Sequence, residues 1–381
     1  MSSKKIKKKT LAVCLTLLLS LAVGCTPHVE LNRRIMAEAV GLDYEDGAYT
    51  LSIKYYTNSG AVSQTGSGET PKQVVLKSKG QSLSHAFKEA EFNSGEPIIF
   101  GEFKTIIMGR GMFNDDILEA LNVLSLLYQS SPRMDVLGSL EKAEDLLDIK
   151  YKGEPPNGSK LDDIIENASR VGIALRSSIE IVIEQSKKIN NCFYLPLIAS
   201  KDTKTDQTEN GKEIYIDGGI VVKNGKGAVV FDNYMSESLN LLSRGEESIT
   251  ITVDRNGRPT PVTLTRAKKI ITPEFIDDRL VFYVDFTAHA EYLINNVNKD
   301  IVSEAKEMED KVNKEVEKRI ADATDNIIKP YAADCISLEN RIRQKNYRNW
   351  TKIEDQYDDY LKSAEFIVNS DVMINRYGML Q

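Results

Sequence analysis

Hydrophobic and polar residues repeat along this chain with two different periods, which predict strands in some segments and helices in others. Every second residue from Tyr49 to Tyr55 is apolar. This strand pattern follows Asp46-Gly47, a dipeptide typical of tight turns, and an apolar stretch at 35–42 precedes the turn. The three features together predict a β-hairpin.

The rest of the first 150 residues alternates between the two periods. Apolar residues three or four positions apart predict helices within 83–90 and 117–128. Apolar runs predict strands at 98–109 and at 133–140, the second followed by a short helix. The segment 57–70 is rich in Ser, Gly and Thr and is typical of a loop. This mixture predicts an α+β domain.

A strong break follows at Gly153–Gly158, where two prolines and two glycines occur in six residues. Beyond it, 161–188 has helical and apolar-rich patterns, and 193–199 has the pattern of a strand. The stretch 214–231 is divided by Asn224-Gly225, which predicts a second hairpin.

The last block begins with predicted strands around 248–253, 262–271 and 280–290, followed by a long amphipathic helix. The helix has eight apolar positions that cover 26 residues in seven steps, about 3.7 residues per step. A coiled coil would have 3.5, so the pattern favours a helix packed on a sheet. The apolar positions are Ile301, Ala305, Met308, Val312, Val316, Ile320, Ala323 and Ile327.

A shorter helical stretch at 347–361 precedes a last predicted strand, whose Phe366, Val368, Val372 and Ile374 share one face. The predicted fold class is therefore α+β (mixed α/β), in three domains of mostly antiparallel or mixed sheet with packed helices. We place the domains at residues 25–152, 153–245 and 246–381, behind a removed segment 1–24.

Cys25 is the one residue to which the sequence assigns a chemical role. A lysine-rich start is followed by an uncharged apolar run at 10–23, and Leu21-Ala22-Val23-Gly24-Cys25 resembles a lipobox. Such a site is cleaved before the cysteine, whose sulfur carries a diacylglyceryl group. We therefore predict lipidation at Cys25 and an extracytoplasmic, membrane-anchored chain.

An ordinary cleaved signal peptide with a chance cysteine is the alternative, because Ala22 stands where lipoboxes most often have Leu. The apolar run of 14 residues is too short for a spanning helix, which needs about 20.

Charge limits the partners of the mature chain. Removing residues 1–24 takes away five lysines and no acid, which leaves 44 basic and 56 acidic residues and a formal charge of −12. An acidic body is repelled by nucleic acid and by anionic lipid, so we predict no nucleic-acid partner and a membrane attachment through the lipid.

Two cysteines remain after Cys14 leaves and Cys25 is modified. Cys192 and Cys335 are 143 positions apart, which favours two free buried thiols over a disulfide, although the sequence leaves both states open.

No catalytic, cofactor or metal residues are predicted. The three histidines, His28, His85 and His289, have no metal-ligand spacing. Two SxxK matches, at Ser139 and Ser303, lack the companion elements of serine acyl enzymes. Asp355, Asp358 and Asp359 have no glycine turn of a calcium loop and are predicted to form a solvated helix face.

The order of the elements resembles a known family. Glu30-Leu31-Asn32 leads into Ala39–Asp43 and a tyrosine-rich strand, Gly80–Leu83 and Phe103–Gly109 follow, and Asn349-Trp350 lies in a helix before the last strand. Together with Cys25, these features resemble the Ger(x)C family, the lipoprotein C subunits of nutrient germinant receptors in spore-forming bacteria. Thr26-Pro27 departs from the Trp-Asp that members commonly have there.

The resemblance implies a non-catalytic, three-domain lipoprotein on the outer face of the spore inner membrane, without cofactors. It also implies two integral-membrane partners, the A-type and B-type receptor subunits, and a role in receptor assembly or signalling during germination. A solute-binding lipoprotein of a transport system remains the alternative, although such proteins have two lobes of parallel strands and helices, whereas hairpins dominate here.

Overall fold

The structure is a computed structural model that describes residues 35–56, 72–99, 103–127, 131–153, 160–243, 248–255, 257–293 and 301–378. Three predicted features therefore lie outside the described residues: the signal segment with Cys25, the loop at 57–70, and most of the break at Gly153–Gly158.

A nine-stranded mixed sheet is formed by described residues between Ile35 and Phe231. Its strands are β1 (Ile35–Glu45), β2 (Ala48–Tyr56), β3 (Gln73–Gly80), β4 (Ile98–Ile99), β5 (Thr105–Met108), β6 (Asp135–Gly138), β7 (Cys192–Asp202), β8 (Lys212–Lys223) and β9 (Lys226–Phe231). The order is β3-β2-β1-β5-β6-β7-β8-β9, and β4 also pairs with β1. The neighbours β1, β5, β6 and β7 run parallel, whereas the outer strands are antiparallel.

Both predicted hairpins of this sheet are confirmed. Asp46 and Gly47 have φ angles of 54° and 79°, and Asn224 and Gly225 have 52° and 78°. Two successive residues with positive φ are the geometry of a type I′ turn, whose twist matches that of the flanking strands. Asn and Asp accept this backbone conformation more readily than other side chains, and glycine does so without strain.

Helices cover both faces of the large sheet. They are α1 (Leu83–Ser94), α2 (Ile117–Leu127), α3 (Ala143–Leu147), α4 (Lys160–Arg170) and α5 (Ile179–Ser186). One face packs against α1, α2 and α5 around Phe87, Leu121 and Val182, and the other packs against α3 and α4 around Leu146 and Ile165. Central parallel strands are buried on both faces for this reason.

The predicted single strand at 98–109 is wrong. The segment forms β4 and β5 instead, and they pair with two separate parts of β1, at Ile35-Met36 and at Ala39–Leu42. The pairing of β1 with β2 is irregular between Ala37 and Ala39. Because a bulge bends a strand, the two halves of β1 do not offer one straight edge to a single partner.

A second, four-stranded sheet follows α6 (Asn233–Ser243), with the order β10-β11-β12-β13. The strands are β10 (Ile249–Arg255), β11 (Arg258–Ile276), β12 (Arg279–Leu293) and β13 (Glu365–Gly378). The long helix α7 (Ile301–Ala323) packs on this sheet, and its predicted apolar positions from Ala305 to Ala323 are buried. The prediction of a helix packed on a sheet is therefore confirmed.

The end of α7 is less regular than the sequence predicts. A π turn at Thr324–Ile328 and a short helical segment, Lys329–Tyr331, follow it. In a regular α-helix the ring of Pro330 would clash with the carbonyl of Asn326, and the wider turn relieves that clash. Three short helices come next: α8 (Leu338–Lys345), α9 (Tyr347–Ile353) and α10 (Tyr357–Lys362).

Side chains of α7 cover the outer edge of β13. The Asn313 Oδ1 accepts hydrogen bonds from the Val372 backbone N–H at 2.8 Å and from the Ser370 hydroxyl at 2.8 Å. Glu309 Oε1 accepts one from the Ile374 backbone N–H at 2.9 Å. Edge strands with free N–H groups tend to pair with other chains, and these bonds satisfy part of this edge.

The two sheets share a hydrophobic core. Cys192, Tyr194, Val221 and Phe231 of the large sheet belong to the same buried cluster as the inner face of β10–β13. A mixed α+β fold in more than one unit is thus confirmed. The strands β7–β9 continue the sheet of β1–β6, with Gly138 level with Leu197. The division into three domains, with boundaries at 152/153 and 245/246, stays a prediction.

Candidate functional site

Among the described residues, the histidines and the SxxK serine that the sequence offered as candidate catalytic or metal-binding residues do not lie together. His85 is exposed on α1, with its Nε2 3.5 Å from Glu89 Oε1, and Ser139 is fully buried and accepts a hydrogen bond from the Glu141 backbone N–H. His289 lies in β12, and His28 and the anchor Cys25 lie outside the described residues. In the part of the chain that the structure describes, no group of three or more His, Cys, Asp and Glu side chains could hold a metal ion.

The densest buried polar cluster instead joins the two sheets, and we call it the Asn190 network. Asn190 precedes β7 and is 3% exposed. Its Nδ2 donates to the Ala332 carbonyl oxygen at 2.8 Å and to Asp358 Oδ1 at 2.6 Å, and its Oδ1 accepts from the Asp334 backbone N–H at 2.9 Å. Its backbone N–H donates to Glu339 Oε2 at 3.3 Å. Asn190 thus binds the segment 332–334 and Asp358 of α10 through its side chain, and Glu339 of α8 through its backbone.

Asp334 holds the start of α8 in this network. Its carboxylate accepts the backbone N–H groups of Leu338 at 2.6 Å and Glu339 at 2.8 Å, and the Tyr357 hydroxyl at 3.0 Å. The residue before the helix, Ser337, has φ 65° and makes no cap hydrogen bond of its own. Asp334 therefore supplies the acceptor that a helix amino terminus requires.

A lysine of the large sheet completes the contact. Lys223 ends β8, and its Nζ donates to Asp358 Oδ2 at 2.5 Å and to the Ala332 carbonyl oxygen at 2.8 Å. On the other side of Asn190, Lys188 Nζ and Gln185 Nε2 donate to the Ser337 hydroxyl at 2.6 and 2.9 Å. The predicted solvated face of Asp355, Asp358 and Asp359 is therefore wrong for Asp358, which is half-buried and ion-paired.

Burial changes the acid–base behaviour of the network. Desolvation raises the pKa of the Asp334 carboxyl, although the backbone N–H groups of Glu339 and Leu338 oppose the shift. Desolvation also raises the pKa of Glu339, whose Oε1 is buried without a hydrogen-bond partner. Burial, with the nearby Asp334 charge, raises the pKa of Tyr357. Burial thus opposes the ionisation of all three groups.

The two cysteines meet beside this network. Cys192 pairs with Lys223 across β7 and β8, and Lys223 binds the chain at Ala332, three residues before Cys335. Both thiols are free, as the sequence favoured, but only Cys192 is buried and Cys335 is partly exposed. Their separation of 143 positions does not keep them apart, because the Cys335 thiol interacts with that of Cys192. Burial, and then this contact, raise the pKa of the Cys192 thiol.

A second buried carboxylate, Asp43, connects β1 of the large sheet to the start of α3. Asp43 at the end of β1 accepts the backbone N–H groups of Ala143 at 2.9 Å and Glu144 at 3.2 Å, and so caps α3. Burial raises the pKa of Asp43 despite these bonds. A Cβ on Gly109 would lie 1.8 Å from Asp43 Oδ1, so only glycine leaves room for this carboxylate.

Sequence reasoning missed both carboxylates and Asn190. Asp334 stands four residues before α8 rather than at its cap position, and Asp43 caps a helix 100 residues later. Neither spacing is a local capping pattern. The chemistry of the Asn190 network is that of a fixed connection, because its hydrogen bonds and ion pairs join the two sheets.

Comparison with known proteins agrees with the family resemblance. The family model described as Spore germination protein N-terminal domain matches residues 27–200, and that described as Spore germination B3/ GerAC like, C-terminal, matches residues 217–378. Spore germination protein B3 of Bacillus subtilis (strain 168) is 22% identical over 368 residues, which cover 93% of this chain and 94% of that protein.

Solved structures show the same fold. The crystal structure of the GerBC protein matches with a TM-score of 0.57 and 16% identity, covering 88% of this chain and 97% of that chain. The two family models together span most of the sequence, and the residues between them, 201–216, run from the end of β7 into β8. This chain belongs to the Ger(x)C family of spore germinant receptor C subunits.

Proposed function

We propose that this chain is the lipoprotein subunit of a nutrient germinant receptor. A lipid on Cys25 holds it to the outer face of the spore inner membrane, where it acts with an A-type and a B-type integral-membrane subunit. Its role is assembly and signalling rather than catalysis. The observation that carries this proposal is the match of both family models along the chain, together with the lipobox.

A lipid tether is enough to hold a folded body at a bilayer. In the described part of the chain, no helix is long and apolar enough to cross a bilayer. Two acyl chains give stable anchoring where one does not. Anchoring to the same bilayer as the partner subunits raises their effective concentration, so that a weak interface is enough to hold the complex.

The Asn190 network supports a signalling role. It connects the large sheet to the carboxyl-terminal helices through buried hydrogen bonds, so a force or contact on one part is transmitted to the other by a rigid connection.

Gene deletion tests the function. Spores without this subunit should fail to respond to the nutrients of its receptor and should still germinate with agents that bypass receptors, because the later machinery is intact. If the deletion strain instead germinates normally on every nutrient and its growing cells have lost uptake of one solute, the chain is a solute-binding lipoprotein of a transport system.

The anchor has its own test. Cys25→Ala should move the chain from the membrane fraction to soluble or uncleaved forms, because the acyl group then has no acceptor. Metabolic labelling with a fatty acid follows the modification. Label that persists on the variant would show that the lipid is attached elsewhere.

A further inference from the structure

Helices α8 and α9 carry the most basic stretch of the folded chain. Between Glu339 and Glu354 there are five basic residues and no acid, in a chain whose formal charge is negative. Four of the five side chains are exposed, and we call them, with the exposed Tyr347 among them, the basic corner. The four are Arg343, Lys345, Arg348 and Lys352.

These cations form no close ion pairs in the part of the chain that the structure describes, although Arg343 interacts electrostatically with Glu339. Among the described residues, no ion pair involves any of the four. Other exposed cations of the same region do pair locally: Lys329 lies 2.8 Å from Asp325, and Lys362 lies 3.8 Å from Asp359. The basic corner is therefore a patch of uncompensated positive charge on an acidic body.

The helices that present the corner are rigidly held. Ile342 of α8 and Trp350 of α9 are 0% and 1% exposed, and the Trp350 ring packs edge-on against Tyr357 at 5.2 Å between centroids. A single residue, Asn346, joins the helices, and its Oδ1 caps α9 by accepting the Asn349 backbone N–H at 3.1 Å. The charges thus occupy fixed positions around Tyr347, which is 63% exposed.

A bilayer surface fits this arrangement. Each lysine or arginine near an anionic membrane surface strengthens binding about fivefold, and tyrosine is enriched at the headgroup level. All five side chains of the corner are exposed, so a layer of lipid phosphates can reach them.

The strand topology allows the anchor and the corner to reach one bilayer. Strands β1, β5, β6 and β7 are parallel, so their amino-terminal ends lie at one edge of the sheet. Ile35 begins β1 there, and the residues before β7 hold the start of α8. Three strand spacings separate β1 from β7, about 14 Å. The ten-residue connection from Cys25 to Ile35 can extend to roughly 35 Å.

We propose that the basic corner binds anionic phospholipid headgroups and so orients the tethered body on the membrane. This inference rests on the proposed function, because the lipid anchor brings the chain to the membrane. The binding of the corner itself is electrostatic and does not require the lipid. At this one face, the basic corner attracts the anionic lipid that the net negative charge of the body is predicted to repel.

Vesicle flotation tests the corner without the anchor. Every described element lies within 35–378, so a chain beginning at residue 26 contains the whole described fold. It should float with vesicles of phosphatidylcholine containing 30 mol% phosphatidylglycerol at low salt, and not with phosphatidylcholine alone. Binding should fall steeply when the salt is raised, because screening shortens the reach of these charges.

Charge variants locate the binding. The combined variant R343Q/K345Q/R348Q/K352Q should bind the anionic vesicles at least about tenfold less. The matched control K79Q/K88Q/K204Q/K212Q removes the same charge at four exposed lysines. Its binding to the anionic vesicles should be at least about one third of that of the native chain. Equal losses in the two variants, or no flotation of the native chain, would overturn the proposal.

The lipidated protein separates this inference from the proposed anchor. On anionic vesicles, acetylation of Lys345 and Lys352 should be slower than on zwitterionic vesicles, although the anchor is present in both. Equal rates, with the lipid found on Cys25, would overturn the corner and leave the anchor standing. If the chain beginning at residue 26 floats with anionic vesicles, but the protein isolated from cells carries no lipid, the proposed anchor is overturned and the corner stands. Binding of the corner to the solubilised membrane subunits, with none to vesicles, would assign it to an acidic protein face instead.

Discussion

At the residue scale, Asn190 is the most connected polar side chain between the two sheets. Its amide binds three groups that are buried or half-buried: the Ala332 carbonyl, the Asp358 carboxylate and the Asp334 backbone N–H. A buried polar group that loses its partner costs about 1–3 kcal/mol. The Asp334 N–H depends on the amide, whereas the Ala332 carbonyl and the Asp358 carboxylate also bind Lys223.

We expect Asn190→Ala to lower the free energy of unfolding by about 1–3 kcal/mol, because it leaves the buried Asp334 N–H without its acceptor and removes one of the two hydrogen bonds to the Ala332 carbonyl. Urea unfolding measures this. Asn210→Ala is the control, since Asn210 is exposed, and it should change the value by less than about 0.5 kcal/mol. Similar effects of the two substitutions would show that Asn190 does not hold the junction.

Asp334 makes the same junction sensitive to pH. Its pKa in the folded protein is raised by burial, whereas an unfolded Asp titrates near about 4. The folded state thus binds this proton more tightly than the unfolded state. The stabilisation is fully present below about pH 4 and is lost as the pH rises through the folded pKa.

The free energy of unfolding of the native chain should accordingly fall more between pH 4 and pH 7 than that of Asp334→Asn, which cannot titrate. Glu339 remains in both proteins, so its own raised pKa contributes to both curves. Urea unfolding at several pH values gives the two slopes. Parallel curves would mean that Asp334 has the same pKa in both states.

At the element scale, α3 depends on a side chain from a distant strand. The residue at its amino-terminal cap, Lys142, offers no acceptor, and Asp43 of β1 accepts the two free N–H groups. A helix of five residues has little intrinsic stability, so this cap and the packing of Leu146 and Leu147 determine whether it forms.

Asp43→Ala should cost about 1–2 kcal/mol of unfolding free energy, because the two N–H groups of α3 lose their acceptor in a buried place. Asp145→Ala, in the same helix turn but exposed, serves as control and should cost less than about 0.5 kcal/mol. Thermal unfolding of both variants decides the matter. A larger loss from the exposed residue would contradict the capping role.

At the scale of the whole molecule, the shared core joins the two sheets into one cooperative unit. The buried cluster of the second sheet includes four residues of β7–β9, and the Asn190 network adds polar contacts at the same junction. Large apolar contacts between parts of a chain couple their unfolding.

Trp350, the single tryptophan, reports on the carboxyl-terminal part, whereas far-ultraviolet circular dichroism reports on both sheets. We expect the two signals to give one coincident urea transition in the native chain. In Asn190→Ala, the tryptophan transition should move to lower urea than the dichroism. Two separate transitions in the native chain would show that the sheets unfold independently.

The sequence by itself determined the local elements. The Asp-Gly and Asn-Gly hairpins, the amphipathic helices α1, α2 and α7 and the one-sided face of β13 follow from short-range periodicity and turn chemistry, which act within about ten residues. The family also followed from the sequence, because the order of elements is a property of the chain.

Only the tertiary structure decided which distant residues meet. The partners of Asn190 lie 142 to 168 positions away, the cap of α3 lies 100 positions away, and Cys192 and Cys335 meet across 143. Nothing in a local pattern encodes such pairs, because they depend on how strands and helices pack after they form. The split of 98–109 has the same origin, since the bend of β1 set the pairing of β4 and β5.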